Sequence, residues 1–180
     1  MKSKFIFIML MISAVTAFAS NSPYQGEQLR TIKALSDGEI NSLLNGQGMG
    51  FAKAAELNHY PGPKHVLDLA DDLDLTDDQI SETTIIFSQM KIEAIRLGKE
   101  LVDGEAKLDK LFQEGIITPE ELDKQLSAIE GTRAQLRGVH LKAHLAQRTV
   151  LTQHQLNQYD NLRGYSGGSK SHSHSNMSHN

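Results

Sequence analysis

The feature that most restricts the fold is a seam. Ile80, Thr83, Phe87, Met90, Ala94, Leu97, Leu101, Gly104, Leu108 and Leu111 follow one another in alternating steps of three and four. That spacing puts them on one stripe of a long α-helix facing a partner helix, whereas a strand would repeat every second residue. A second seam follows: Leu122, Gln125, Ile129, Thr132, Leu136, Val139, Ala143, Ala146 and Val150. Only Gly115 to Thr118 separate the two helices, so the second must turn back along the first. The expected fold class is all-α: a long antiparallel helical hairpin with short flanking helices.

The helix starts are written in capping chemistry. A Thr or Ser hydroxyl accepts a hydrogen bond from an unpaired N–H of the first turn. A Gln or Glu three residues on bonds back to the cap's own N–H, and an apolar residue before the cap packs on one inside the helix. Leu75-Thr76-Asp77-Asp78-Gln79-Ile80 has this pattern, as do Leu151-Thr152-Gln153-His154-Gln155-Leu156, Ile117-Thr118-Pro119-Glu120-Glu121-Leu122 and Leu35-Ser36-Asp37-Gly38-Glu39-Ile40. Pro119 also takes the favoured first helical position. The outbound helix is expected to end at Glu114, before Gly115, and to span about 57 Å at 1.5 Å per residue. Shorter helices are expected over 37–45, 49–58 and 64–73, with 153–163 folding back at the far end. The Leu75–Gln79 and Leu151–Gln155 boxes then share one end of the hairpin, opposite the Gly115 turn. Gly98 and Gly104 each weaken a helix by about 1 kcal/mol relative to Ala. Gly104 lies on the seam and permits close approach, while Gly98 lies off it and marks a candidate bend.

Residues 1–19 read as a secretory signal: Lys2 and Lys4, an apolar run from Phe5 to Val15, then Ala17-Phe18-Ala19 before the expected cleavage. The run is too short to span a bilayer, which takes roughly 20 residues. Lys2 and Lys4 are the only charged residues of this segment, so its removal takes the net charge from −4 to −6. An acidic chain of this kind is a poor partner for nucleic acid. The chain has no Cys, so an exported product is stabilised by packing without disulfides. The expected organisation is a signal over 1–19, a short-helix segment over 20–63, a hairpin domain over 64–165, and a flexible His-rich tail over 166–180.

A signal segment, a long helical hairpin and paired Leu-Thr-x-x-Gln boxes at Leu75–Gln79 and Leu151–Gln155 together resemble the Spy/CpxP family of periplasmic proteins. The resemblance covers about residues 64 to 165, and the stretches "GMGFAKAAELNHYPGPKHVLDLADDLDLTDDQ" and "HLAQRTVLTQHQLNQYDNLRGY" carry it further. Its relatives include ATP-independent chaperones, envelope-stress regulators, a zinc-resistance-associated protein and CnrX-like heavy-metal sensors. The resemblance implies a hairpin that dimerises into a curved cradle, a periplasmic location, and unfolded envelope proteins or a membrane sensor kinase as partners. The chain departs from the chaperone branch in charge. That branch implies a basic concave face, whereas this chain is acidic overall, with Arg133, Arg137, Lys142 and Arg148 on the return helix.

Two groups of residues suggest metal chemistry. His140 and His144, one turn apart on a helix, can share an ion or can form a polar flank beside Val139 and Ala143. His65 and His154, from the same end of the hairpin, are the candidates for a third ligand. The tail "SGGSKSHSHSNMSHN" carries His172, His174, Met177 and His179, a set suited to zinc, copper or nickel, or to weak scavenging. The acidic run from Asp68 to Glu82 lacks the glycine and spacing of a calcium loop and reads as a solvated face. No catalytic constellation emerges: there is no Cys nucleophile and no phosphate loop, and His140-Leu141-Lys142-Ala143-His144 has Leu where a metalloprotease has its base. The expected function is non-enzymatic, ATP-independent binding of unfolded polypeptides, with heavy-metal sensing or buffering as the alternative.

Overall fold

The structure, a computed structural model, describes residues 22–166. The signal over 1–19 and the tail residues His172, His174, Met177 and His179 lie outside the described residues. Six α-helices follow a 3-10 turn at Glu27–Leu29: α1 Asp37–Leu44, α2 Lys53–Glu56, α3 Pro63–Asp68, α4 Asp77–Gln113, α5 Pro119–Val150 and α6 Gln153–Leu162. The described residues contain no strand, only an isolated bridge between Ile32 and Leu35. Helices α4 and α5 form the expected antiparallel hairpin, joined at Gly115 with φ of 66°. Among the described residues no helix is long and apolar enough to cross a membrane.

Three of the four expected capping boxes are complete, at Ser36, Thr76 and Thr152. The fourth is half made. Thr118 accepts from the Glu121 N–H, but the Glu121 carboxylate does not return the bond. It accepts instead from the Gln125 amide at 2.5 Å and faces Lys107 and Lys124, each at 3.7 Å. A carboxylate with a charged neighbour across the hairpin is drawn away from its own cap.

The short helices are shorter than the sequence suggests. Residues 49–52 form turns, with Met49 and Gly50 at positive φ, so α2 begins only at Lys53. Helix α3 stops at Asp68, and the chain reaches Thr76 through turns that include Asp74 at φ 49°.

Two apolar clusters hold the helices. The larger joins Ile32, Leu35 and Leu43 to Ala94, Leu97, Leu101, Ile129 and Leu136 in the middle of the hairpin. The smaller gathers Val66, Leu73, Leu151, Leu156 and Tyr159 at the open end, with Leu69, Leu75 and Tyr165 packed on it. Both motif leucines, Leu75 and Leu151, therefore belong to one cluster.

Gly98 serves packing. It is buried within an unbroken α4, and a Cβ there would lie 2.1 Å from the Leu43 carbonyl oxygen. Its role is to let the end of α1 rest directly on the α4 backbone. Gly104 is as expected on the seam, where a Cβ would meet Ile129 at 3.0 Å. Intrinsic propensity and packing thus oppose each other at position 98. Gly98→Ala should destabilise by about 2 kcal/mol, because overpacking outweighs the helix gain of about 1 kcal/mol. Gly131→Ala, where a Cβ would meet nothing within 4 Å, should instead stabilise slightly. Urea unfolding of the two variants reads the sign directly; equal stabilisation by both would remove the close-approach role.

Candidate functional site

The two Leu-Thr-x-x-Gln boxes form one structure. Gln79 Oε1 accepts from its own cap, Thr76 N–H, at 3.1 Å, and Gln155 Oε1 does the same for Thr152 N–H at 2.9 Å. Each amide group then crosses to the other box. Gln79 Nε2 donates to Gln155 Oε1 at 2.9 Å and to the Val150 carbonyl at 2.9 Å. Gln155 Nε2 donates to Gln79 Oε1 at 3.0 Å and to the Leu73 carbonyl at 3.2 Å. Every donor and acceptor of the two carboxamides is engaged, and the arrangement has a local two-fold character. Glutamine is required for this. A glutamate would close its own cap but could not donate across, and two glutamates would place like charges together.

The lock fixes the start of α4 against the start of α6, and α6 carries the C-terminal residues onto a second polar hub. Glu56, at the end of α2, accepts through Oε1 from Tyr159 Oη at 2.7 Å, Tyr165 Oη at 3.1 Å and Arg163 Nε at 3.2 Å. Its Oε2 is buried without a hydrogen-bond partner and lies 3.8 Å from His144 Nδ1. Burial and the Glu56 carboxylate push the Tyr159 phenol far above its ordinary pKa, so it stays a donor. A further tie, His59 Nδ1 to Asp160 at 2.7 Å, joins the end of α2 to α6.

His140 and His144 are not a solvated flank. Both are buried, because the turns after α2 and the start of α3 cover that side of α5. His144 Nδ1 lies 2.8 Å from the Tyr60 carbonyl, which only accepts, so Nδ1 carries a proton. Its Nε2 edge packs on Gly62, where a Cβ would sit 3.0 Å away. His140 stacks on Phe51 with ring centroids 5.7 Å apart, and its buried Nε2 has no hydrogen-bond partner. Burial, with a smaller effect from His144, holds the His140 pKa below its ordinary value.

Of the two candidate third ligands, His65 lines the same cavities as His140 and His144. His154 sits exposed in the first turn of α6 and lines neither. Among the described residues no three His, Cys, Asp or Glu side chains are grouped to hold a metal ion. Of the basic residues of the return helix, Arg133 and Arg137 line one hollow beside Met49 and Phe51, and Lys142 borders the α4–α5 groove. Arg133 pairs with Glu105 at 2.9 Å and with Glu130 at 3.4 Å, and Arg148 lies 4.4 Å over the Tyr60 ring.

Sequence reasoning missed Glu56, Tyr60, Gly62 and Tyr159. None stands in a local pattern that announces a role: Tyr60 acquires one from His144, 84 positions away, Glu56 and Tyr159 acquire theirs from each other, 103 positions apart, and Gly62 lies against His144. Comparison with family models, with curated proteins and with solved structures finds no match. The reading of the site rests on its geometry.

Two expectations follow. In a double-mutant cycle, Gln79→Ala and Gln155→Ala should couple by about 1–2 kcal/mol in unfolding free energy. Gln155→Ala should be the more damaging, because Gln155 is the more buried and its loss strands the Leu73 carbonyl. Additive effects would mean two independent caps. The His140 prediction concerns pH. Its folded-state pKa lies below the unfolded value, so its stabilisation is complete above the unfolded pKa of about 6.5 and is lost as pH falls through the folded value. His65, also lowered by burial, adds in the same direction. The melting temperature should therefore decline as pH falls below about 6.5, and His140→Gln should flatten that decline; an unchanged slope would contradict it.

Proposed function

We propose that this chain is an exported Spy/CpxP-like protein of the envelope stress response, located in the periplasm, which holds unfolded polypeptides without ATP and without catalysing a reaction. The observation that carries the reading is an uncovered apolar surface on an otherwise locked hairpin. Ile92 is 66% exposed and Ile85 53%. Beside them a groove of about 280 Å³ is lined only by α4 and α5, through Ile86, Met90, Val139, Ala143 and Ala146 among others. None of α1, α2 or α3 contributes to it. Exposed apolar area of this kind on a rigid element supports binding of partners that expose apolar segments themselves. Gln89, Glu93 and Lys142 border the groove, which suits a mixed polar and apolar client rather than a purely acidic one.

In this reading the capping-box lock shapes the binder and does not touch the client. A homodimer would extend the same uncovered face into a cradle, and a membrane sensor kinase is a second candidate partner for it. The competing reading, a zinc, copper or nickel buffer or sensor, is supported by the four potential ligands His172, His174, Met177 and His179 within eight residues of the tail.

Light scattering of an unfolding client separates them. With the protein near stoichiometry, a chelator present and no ATP, aggregation should be suppressed. Ile85→Asp/Ile92→Asp should abolish suppression while leaving thermal stability within about 1 kcal/mol, because both side chains are exposed. Suppression that appears only when zinc or copper is supplied would favour the metal reading. No suppression under either condition would overturn the chaperone reading.

A further inference from the structure

The histidine cavity has a chemistry of its own. It measures about 390 Å³, within the range small ligands use, roughly 300–1,000 Å³. It lies between the 45–48 turn, the start of α3 and the hairpin, and meets the open groove that α4 and α5 line alone only at Met90. The acids of this chain outnumber its bases by 22 to 18, yet no Asp or Glu lines this cavity; Glu56 lines the adjoining one, which shares His65, His140 and His144. Its ionisable wall is Lys64, Lys91, His65, His140 and His144. The remainder is amide and backbone from residues 45–48 together with an apolar surface of Pro63, Phe87 and Met90.

Each polar group has a definite condition. Lys64 Nζ is shared with Asp68 at 2.6 Å, outside the cavity lining. Lys91 has no carboxylate partner among the described residues; its ammonium lies 5.9 Å from the centre of the Phe87 ring. His144 is committed through Nδ1 to Tyr60 and turns its Nε2 edge onto Gly62, so it serves as wall. His140 is 3% exposed, and its Nε2 is buried with nothing to bond. An unpaired buried nitrogen of this kind is expensive unless something satisfies it. The lysines in the lining, of which Lys91 has no carboxylate partner among the described residues, oppose a cation there and favour an anion. In the Nε2–H tautomer, His140 becomes a buried donor for that anion.

We infer that this cavity binds a small apolar monocarboxylate, its head group taken by Lys91 and His140 Nε2–H and its tail laid against Phe87 and Met90. The chemistry is shared by a free short-chain carboxylic acid and by the C-terminal leucine or similar residue of a peptide. This site shares only Met90 with the client groove, and the inference stands whether or not the chaperone reading does.

The test is an NMR titration of the purified protein, observing the Met90 methyl and the His140 ring. Hexanoate should move both signals in one saturable process. 1-Hexanol, with the same tail and no charge, should bind at least about tenfold more weakly, the loss expected for a charge-assisted hydrogen bond. Lys91→Gln, an exposed and structurally mild change, should weaken hexanoate about fivefold. A tripeptide ending in a free leucine carboxylate that binds tighter than hexanoate, while its C-terminal amide does not bind, assigns the natural ligand to chain termini; the reverse order assigns it to free acids. Equal binding of hexanoate and hexanol would overturn the inference. So would zinc moving the His140 signal where hexanoate does not, and so would no binding of any probe.

Discussion

The structure depends on one interaction, the reciprocal pairing of the Gln79 and Gln155 carboxamides. Each glutamine satisfies its own helix cap and then reaches the other's, so two local motifs become one long-range tie. A capping residue alone is worth about 1 kcal/mol and fixes only where a helix begins. Joined in this way, two caps also fix how the first and last long elements leave the hairpin. The leucines of both motifs enter the same apolar cluster beneath the amide pair, so polar and apolar contacts enforce a single register.

From that tie the remaining polar network follows in sequence. Helix α6 is held across the open end of the hairpin, and its Tyr159 and the following Arg163 and Tyr165 meet at Glu56. Glu56 and Tyr60 in turn stand over His144, so the 53–62 stretch becomes a lid on one flank of α5. The opposite flank receives no such cover, and there Ile85, Ile92 and the α4–α5 groove remain open. The molecule therefore has one closed side, with buried imidazoles and a cationic cavity, and one open apolar side. The chaperone proposal belongs to the second and the carboxylate proposal to the first.

Much of the framework was legible in the residues. Periodicity placed α4 and α5 within a residue of their observed ends, and the four-residue connection dictated their antiparallel course. Cap spacing located the starts of α1, α4, α5 and α6. Each of these signals acts over one to two helical turns, which is why a sequence displays it. The Gln79–Gln155 pairing is different. Its partners lie 76 residues apart, and nothing in either motif says that the amide protons left over by one cap will be used by the other. The burial of His140 and His144 was hidden for a related reason: a two-helix seam leaves them at its edge, and only the third layer from residues 45–63 covers them. Gly98 shows the same limit, since helix propensity describes the helix it sits in and not the Leu43 backbone resting on it.

Hydrogen exchange of the glutamine side chains tests the central claim most directly. In a paired lock, the carboxamide protons of Gln79 and Gln155 exchange together with the most protected backbone amides of α4 and α5, because both are released only when the end of the hairpin opens. The carboxamide of Gln153, which is exposed in the same helix as Gln155 and donates only to the exposed Asn157 side chain, serves as the internal reference. If Gln79 and Gln155 exchanged as fast as Gln153 while the helices stayed protected, the doubled motif would be two separate caps, and the account of how this fold is held would fail.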